Sequence, residues 1–248
     1  MFYTFCAQTD TGRSRRNNED AVAVDASLGL ALLADGMGGY SAGEIASSMA
    51  IAQVHAKLSN YLRPAARAGS RHGLRKALEA SVAGANTAIL QAALANPRYA
   101  GMGTTLVVGV FCQGHLLLGH IGDSRAYLYR AGRLQPITHD HSLVQAQLDA
   151  GWMTPAQARF SQDRNLLTRA LGVENTVLLE VNEYLLQAGD MYLLCSDGLT
   201  DMLPDAAMAA ILTSHCVLEQ KAQALIQAAN TQGGRDNISV VLVEVLEK

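Results

Sequence analysis

The chain has 248 residues, 49% of them hydrophobic and 17% charged, which excludes a disordered or fibrous protein and suits one large, enzyme-sized domain spanning residues 1–248. A formal net charge of −3 leaves no global positive field, which argues against nucleic-acid binding and against an anionic membrane as partner. No apolar run approaches the ~20 residues that span a bilayer, so the protein is expected to be cytoplasmic, without membrane insertion.

Taken in chain order, apolar runs predict strands at Phe2–Gln8, Ala21–Asp25 and Leu30–Ala34. The loop before the second strand, Asp10 to Asp20, alternates Arg13, Arg15 and Arg16 with Glu19 and Asp20. Guanidinium groups there suit bidentate contact with a phosphate, and the plain alternative is a polar loop with locally paired charges. The third strand runs into Asp35-Gly36, followed by Gly38-Gly39. Helical periodicity then predicts two Ala-rich helices, Gly43–Leu62 and Gly73–Leu94, joined by a locally basic linker, Arg63–His72, read as a solvated loop.

Strands follow at Thr104–Cys112, His115–Ile121 and Ala126–Arg130, and hairpin-length turns at Gln113-Gly114 and Ala131-Gly132 make the neighbours antiparallel. The second of these leads through Gly122 into Asp123-Ser124-Arg125. A polar, helix-rich segment, His139–Gly172, reads as an insertion over one rim, with Thr154 placed to cap a helix starting at Pro155. Strands Val177–Val181 and Met191–Ser196 come next, and the latter runs into Asp197-Gly198. Helices are predicted at Asp205–Leu212, where Pro204 suits a first turn, and at Leu218–Ala229. Gly233-Gly234-Arg235 then leads through Asp236-Asn237 into a last strand, Ile238–Val245. Strands and helices fall in blocks, which favours an α+β sandwich of packed sheets with helices outside over an alternating βαβ fold. The four cysteines, Cys6, Cys112, Cys195 and Cys216, form no Cys-x-x-Cys pair and read as reduced core residues.

Asp35, Asp123, Asp197 and Asp236 all sit at strand rims. Each Asp-Gly pair alone reads as a turn in which Gly36 or Gly198 supplies a positive φ. Jointly, gathered carboxylates repel and resist desolvation, so a divalent cation explains all four. Oxygen-only donors, with no His or Cys at ligand spacing, point to Mg²⁺ or Mn²⁺. Asp35 is the best candidate to bridge two ions, and Gly36 could offer its carbonyl.

Arg15-x-Asn17-Asn18-Glu19-Asp20, Asp35-Gly36-Met37-Gly38-Gly39, Gly103-Thr104-Thr105, Gly122-Asp123-Ser124-Arg125, Ser196-Asp197-Gly198-Leu199 and Asp236-Asn237-Ile238-Ser239 resemble, in order, the motifs of metal-dependent serine/threonine protein phosphatases of type 2C, the PPM family, in its compact bacterial branch. The resemblance implies a four-layer αββα sandwich, two central antiparallel sheets flanked by helices, with His139–Gly172 as a flap. It implies hydrolysis of phosphoserine and phosphothreonine in proteins by a water that bridges two Mn²⁺ or Mg²⁺ ions, opposing a cognate Ser/Thr kinase, in a monomer. By motif, Asp35 bridges the ions, Gly36 ligates through its carbonyl, Asp197 and Asp236 complete one shell, Glu19 and Asp20 act through water, Arg15 binds the substrate phosphate, and Asp123 with Asp197 marks a weaker third-ion site. Met37 stands where many eukaryotic relatives have a proposed general-acid His, so no acid is assigned there; His141 is one candidate and a surface histidine is its default reading. A catalytically silent pseudophosphatase and a metal-dependent phosphodiesterase are the alternatives. The first could dispense with some of the aspartates and the second would show a basic groove. No Cys followed at the sixth position by Arg, no Asp-x-Asp-x-Thr and no Gly-Lys pair supports another phosphate chemistry.

Overall fold

The computed structural model describes residues 1–39, 42–63, 71–158 and 161–247. Among the described residues, eleven strands and seven α-helices run in the order β1 Phe2–Asp10, β2 Asp20–Asp25, β3 Leu30–Met37, α1 Ala42–Leu62, α2 Arg71–Ala95, β4 Gly103–Thr104, β5 Leu106–Cys112, β6 His115–Ile121, β7 Arg125–Arg130 and β8 Arg133–Pro136. After these come α3 Leu143–Asp149, α4 Pro155–Ala158, β9 Glu180–Leu185, β10 Met191–Cys195, α5 Asp197–Thr200, α6 Asp205–Thr213, α7 Leu218–Thr231 and β11 Ile238–Leu246. One sheet has the order β1-β11-β10-β7-β8 and the other β2-β3-β5-β6-β9, with β4 also paired to β3. Every pairing is antiparallel.

Strand periodicity sorts the core into three layers. Along β3, Leu30, Leu32 and Ala34 pack under α1 and α2, against Val54, Leu58, Leu78 and Val82. Ala31 and Leu33 face the other way, between the sheets, with Phe111, Tyr192, Val241 and Val243. On the far side, Leu193, Cys195, Val240 and Leu242 pack against Met208, Leu212 and Leu225 of α6 and α7. The result is the expected αββα sandwich.

Several boundaries moved for identifiable reasons. β3 continues through Asp35 and Gly36 to Met37 because β4 pairs with its last residues. The run Thr104–Cys112 is broken at Thr105, where a side chain replaces a main-chain partner, as described below. The strand expected at Val177–Val181 begins instead at Glu180, opposite His120. Its partner β6 ends at Ile121, where Gly122 turns away with φ of 98°. Val177 and Leu179 pack against the helix-side core. The hairpin partner β8 and the one-turn helix α5 had no sequence expectation. Arg71 and His72 belong to α2, while residues 64–70 of the basic linker lie outside the described residues. Cys6 and Cys195 are buried, but Cys216 is exposed and is not a core residue, since it sits in the short link between α6 and α7.

Candidate active site

Alternation along the strands dictates where the first carboxylates point. Asp35 continues the inward row of Ala31 and Leu33 past the end of the apolar core, into the opening between the sheets. In β2, Ala21 and Ala23 face the helix-side core and Val22 the inter-sheet core, so Asp20 also points inward. The β2–β3 register sets Asp20 directly opposite Asp35. Like charges so placed weaken a ladder. Across the gap Ser196 Oγ donates to Asp20 Oδ2 at 2.8 Å, while Asp20 Oδ1 is buried with no hydrogen-bond partner among the described residues.

The backbone of Asp35 is fixed by two threonines. Its N–H donates to Thr105 Oγ1 at 3.0 Å, and its carbonyl accepts from Thr104 Oγ1 at 2.8 Å and from the Thr105 N–H at 2.9 Å. Thr105 and Ser124 hydroxyls share a further bond of 2.7 Å. This ties the Asp35 strand to the loop carrying Asp123.

The two Asp-Gly pairs are built differently. Asp35-Gly36 lies within a strand, whereas Asp197 opens helix α5 after Ser196. Neither Gly36 nor Gly198 is among the residues with positive φ, so the turn reading fails for both. They are glycines because of close approach: a Cβ on Gly36 would run into the Gly43 carbonyl, and one on Gly198 into the Asn237 carbonyl. Gly36 thereby brings the N-terminal turn of α1 against the Glu19 backbone, whose carbonyl accepts from the Gly36 N–H at 3.1 Å and from Ser47 Oγ at 2.6 Å. The Glu19 side chain lies against Gly43, and burial raises its pKa.

Asp236 pairs with Arg15, Nη2 to Oδ2 at 2.7 Å. The residue after it, Asn237, is buried and joins three segments. Its Oδ1 accepts from the Glu19 N–H at 2.8 Å, and its Nδ2 donates to the carbonyls of Thr11 and Asn17, each at 2.9 Å. The arginine loop is thereby locked beside the carboxylates. Sequence reasoning quoted Asn237 within a motif without giving it work; its position between Asp236 and a strand was the only signal.

These carboxylates raise one another's pKa values. Burial raises the pKa of Asp35 well above the carboxylate range, and the charges of Asp20, Asp197, Asp123 and Asp236 raise it further. Burial does the same to Asp197, with Asp123 and Asp236 the leading charges. Asp20 and Asp123 are each pushed up to about 6, mainly by burial. Among the described residues only Asp236 of these five pairs with a cation. A cluster this short of positive charge, with an orphaned carboxylate oxygen inside it, has the donor chemistry of a divalent-cation site with all-oxygen ligands. Asp201, one turn after Asp197 and facing the charges of Asp236 and Arg164, is an acid that sequence reasoning missed.

Near the start of the flap segment, Asp140 is gripped by the guanidinium of Arg125 with bonds of 2.8 and 2.6 Å. Thr154 Oγ1 accepts from the Gln157 N–H at 3.3 Å, so the helix at Pro155 has its expected cap. Between the flap and α5 lies a cavity of about 590 Å³ lined by Asp123, Asp140, Arg164, Asp197 and Asp201. His141 is not a surface histidine. It is buried at the flap base and stacked on His120 with centroids 4.6 Å apart, and its Nδ1 accepts from the Gly122 N–H at 3.1 Å. Burial pushes its pKa down to about 4, so it is neutral at physiological pH and poorly suited to act as an acid.

A family model described as protein phosphatase 2C matches residues 8–242. The serine/threonine phosphatase stp of Listeria innocua is 38% identical over 240 residues, covering 96% of this chain and 94% of that protein. PstP of Mycobacterium tuberculosis is 41% identical over 244 residues, 98% of this chain and 45% of that longer protein. Among solved structures, the M. tuberculosis phosphatase PstP/Ppp superposes with a TM-score of 0.91 at 39% identity, covering 100% of both chains. The PstP catalytic domain in complex with 2 manganese ions gives 0.87 at 38% identity over 99% of each chain. No helix among the described residues is long and apolar enough to cross a membrane. The chain belongs to the protein phosphatase 2C family of metal-dependent serine/threonine phosphatases.

Proposed function

We propose that this chain, as one catalytic domain over residues 1–248, hydrolyses phosphoserine and phosphothreonine in proteins, and that its convergent aspartates hold two divalent ions, Mn²⁺ or Mg²⁺. The observation that carries this reading is the cross-strand pair Asp20–Asp35, in which Asp20 is buried with its Oδ1 left without a partner among the described residues. Such a pair of like charges costs stability without a cation. Bound divalent ions would polarise a phosphoryl oxygen and lower the pKa of water for in-line attack.

The chain's own residues divide the remaining work. Asp35, Asp197 and Asp236, with the carbonyl of Gly36, form the ligand set, and Glu19 and Asp20 orient water around it. Asp123, next to Asp197 and the flap, is the place for a third, weaker ion. Arg15 reaches Asp236 from an exposed position and can swing to a substrate phosphate while staying at the rim. Thr104 and Thr105 hold the Asp35 backbone still, and Asn237 holds the Arg15 loop. The presence of every one of these carboxylates weighs against a silent pseudophosphatase. The phosphoproteins acted on would be those of a cellular Ser/Thr kinase. Phosphate release from a phosphothreonine peptide with MnCl₂, with chelator, and by Asp35→Asn and Asp197→Asn tests the proposal. Activity surviving chelation or either substitution would sink it.

A further inference from the structure

Beside Met37, at the end of β3, the chain leaves a groove of about 710 Å³ whose apolar lining includes Met37, Leu166, Val173 and Leu178. Leu166, Val173 and Leu178 are 51%, 55% and 71% exposed, so three large apolar side chains surround one concavity instead of being scattered singly. Met37 and Val173 meet over Gly103, where an added Cβ would lie 2.7 Å from Met37 Cε and 3.1 Å from Val173 Cγ2. Gly103 thus lies beneath Met37 and Val173, and any larger residue there would displace these two lining side chains.

The wall is rigid although it is exposed. Asn86, buried in α2, accepts from the Gly172 N–H at 2.7 Å and donates to the Glu174 carbonyl at 2.8 Å, gripping the backbone on both sides of Val173. One residue earlier, Leu171 exchanges two backbone bonds with Thr104, the same threonine that fixes Asp35. A preformed apolar wall lowers the ordering cost of whatever docks on it.

We propose that this groove receives an aliphatic or aromatic side chain of the phosphoprotein substrate, close in sequence to the phosphorylated residue. The inference rests on the proposed function and deepens it. The groove adjoins the strand end that carries Asp35, since Met37, two residues on, lines it, and an extended peptide advances about 3.3–3.6 Å per residue. A side chain within about three residues of the phosphothreonine therefore reaches it. Among the described residues the only charged ones in the lining are Arg169 and Glu174, one of each sign, which favours a neutral occupant over a basic or acidic one.

The test is kcat/KM for matched phosphothreonine peptides that carry Leu or Ser at each of the three positions on either side, with p-nitrophenyl phosphate as a substrate lacking flanking residues. At one or more positions the Leu peptide should be preferred about tenfold or more. That ratio should fall towards one in Val173→Asp and in Leu178→Asp, and persist in Val217→Asp, an exposed apolar site before α7. Because the ratio is read within each variant, partial loss of folded enzyme cancels. Equal rates for all peptides, or a preference that survives both groove variants, would overturn the inference while p-nitrophenyl phosphate hydrolysis stands. Loss of that hydrolysis in the unaltered protein would instead overturn the function beneath it.

Discussion

Asp20→Asn isolates the energetic cost of assembling the carboxylates. Asp20 is 8% exposed, and its pKa is pushed from 3.8 to about 6, chiefly by burial. The sign follows: a carboxyl whose folded pKa exceeds its unfolded value is destabilising when ionised, fully so above pH ~6, and the penalty fades as pH falls through 6 towards 4. A shift of about two units corresponds to roughly 3 kcal/mol. For a domain of this size each kcal/mol moves Tm by about 2–4 °C. Asn keeps an acceptor for Ser196 Oγ and removes the charge facing Asp35. Thermal unfolding at pH 7.5 with chelator should therefore show Asp20→Asn melting up to about 6–12 °C above the unaltered protein, and the gap should narrow to about half at pH 5 and close as the pH approaches ~4. With MnCl₂ the unaltered protein should gain more than the variant, because a cation then neutralises the charge the variant lacks. An Asp20→Asn protein that melts no higher in chelator, or gains as much from Mn²⁺, would refute the reasoning.

Gly198→Ala should yield an unstable, inactive protein, since its methyl would collide with the Asn237 backbone that positions Asp236; a melting temperature within a degree or two of the unaltered protein would contradict the close-approach argument. Asn86→Ala leaves the Gly172 N–H and Glu174 carbonyl without their buried partner and should cost about 1–3 kcal/mol in denaturant unfolding. His141, held neutral with a pKa near 4, contributes stability that is complete above its unfolded pKa and is lost as pH falls from ~6.5 towards 4. His141→Gln should flatten that part of the stability–pH curve, by up to about 3 kcal/mol. Arg15→Ala should raise KM for phosphopeptides without lowering the Tm by more than a degree or two, because its pair with Asp236 is exposed.

Much of this was legible in the sequence because period and block order are local properties. The apolar runs located the main strands, and four aspartates at their ends marked one rim of a sandwich. The pairing of Asp20 with Asp35 was not legible, since it depends on a strand register that only the folded sheet displays. The purpose of Gly36 and Gly198 was misread for a related reason. An Asp-Gly pair looks like a turn in sequence, while the close approaches that exclude a Cβ come from Gly43 and Asn237, which other segments deliver. The supporting roles of Thr104, Thr105, Ser196 and Asn237 were hidden because small polar residues at strand ends are common and acquire meaning only through partners far along the chain. β9 was misplaced because Val177 and Leu179 are apolar for packing under helices, which apolarity alone does not distinguish from a strand.

The central claim is that the aspartates gathered around Asp35 form a divalent-metal centre for phosphate-ester hydrolysis. Its most direct test is phosphate release from a phosphothreonine peptide by the purified full chain after chelation and after re-addition of MnCl₂. The account predicts no release with chelator, recovery on adding Mn²⁺, and no recovery in Asp35→Asn. Release that continues in chelator, or recovery by Asp35→Asn to the level of the unaltered protein, would contradict it.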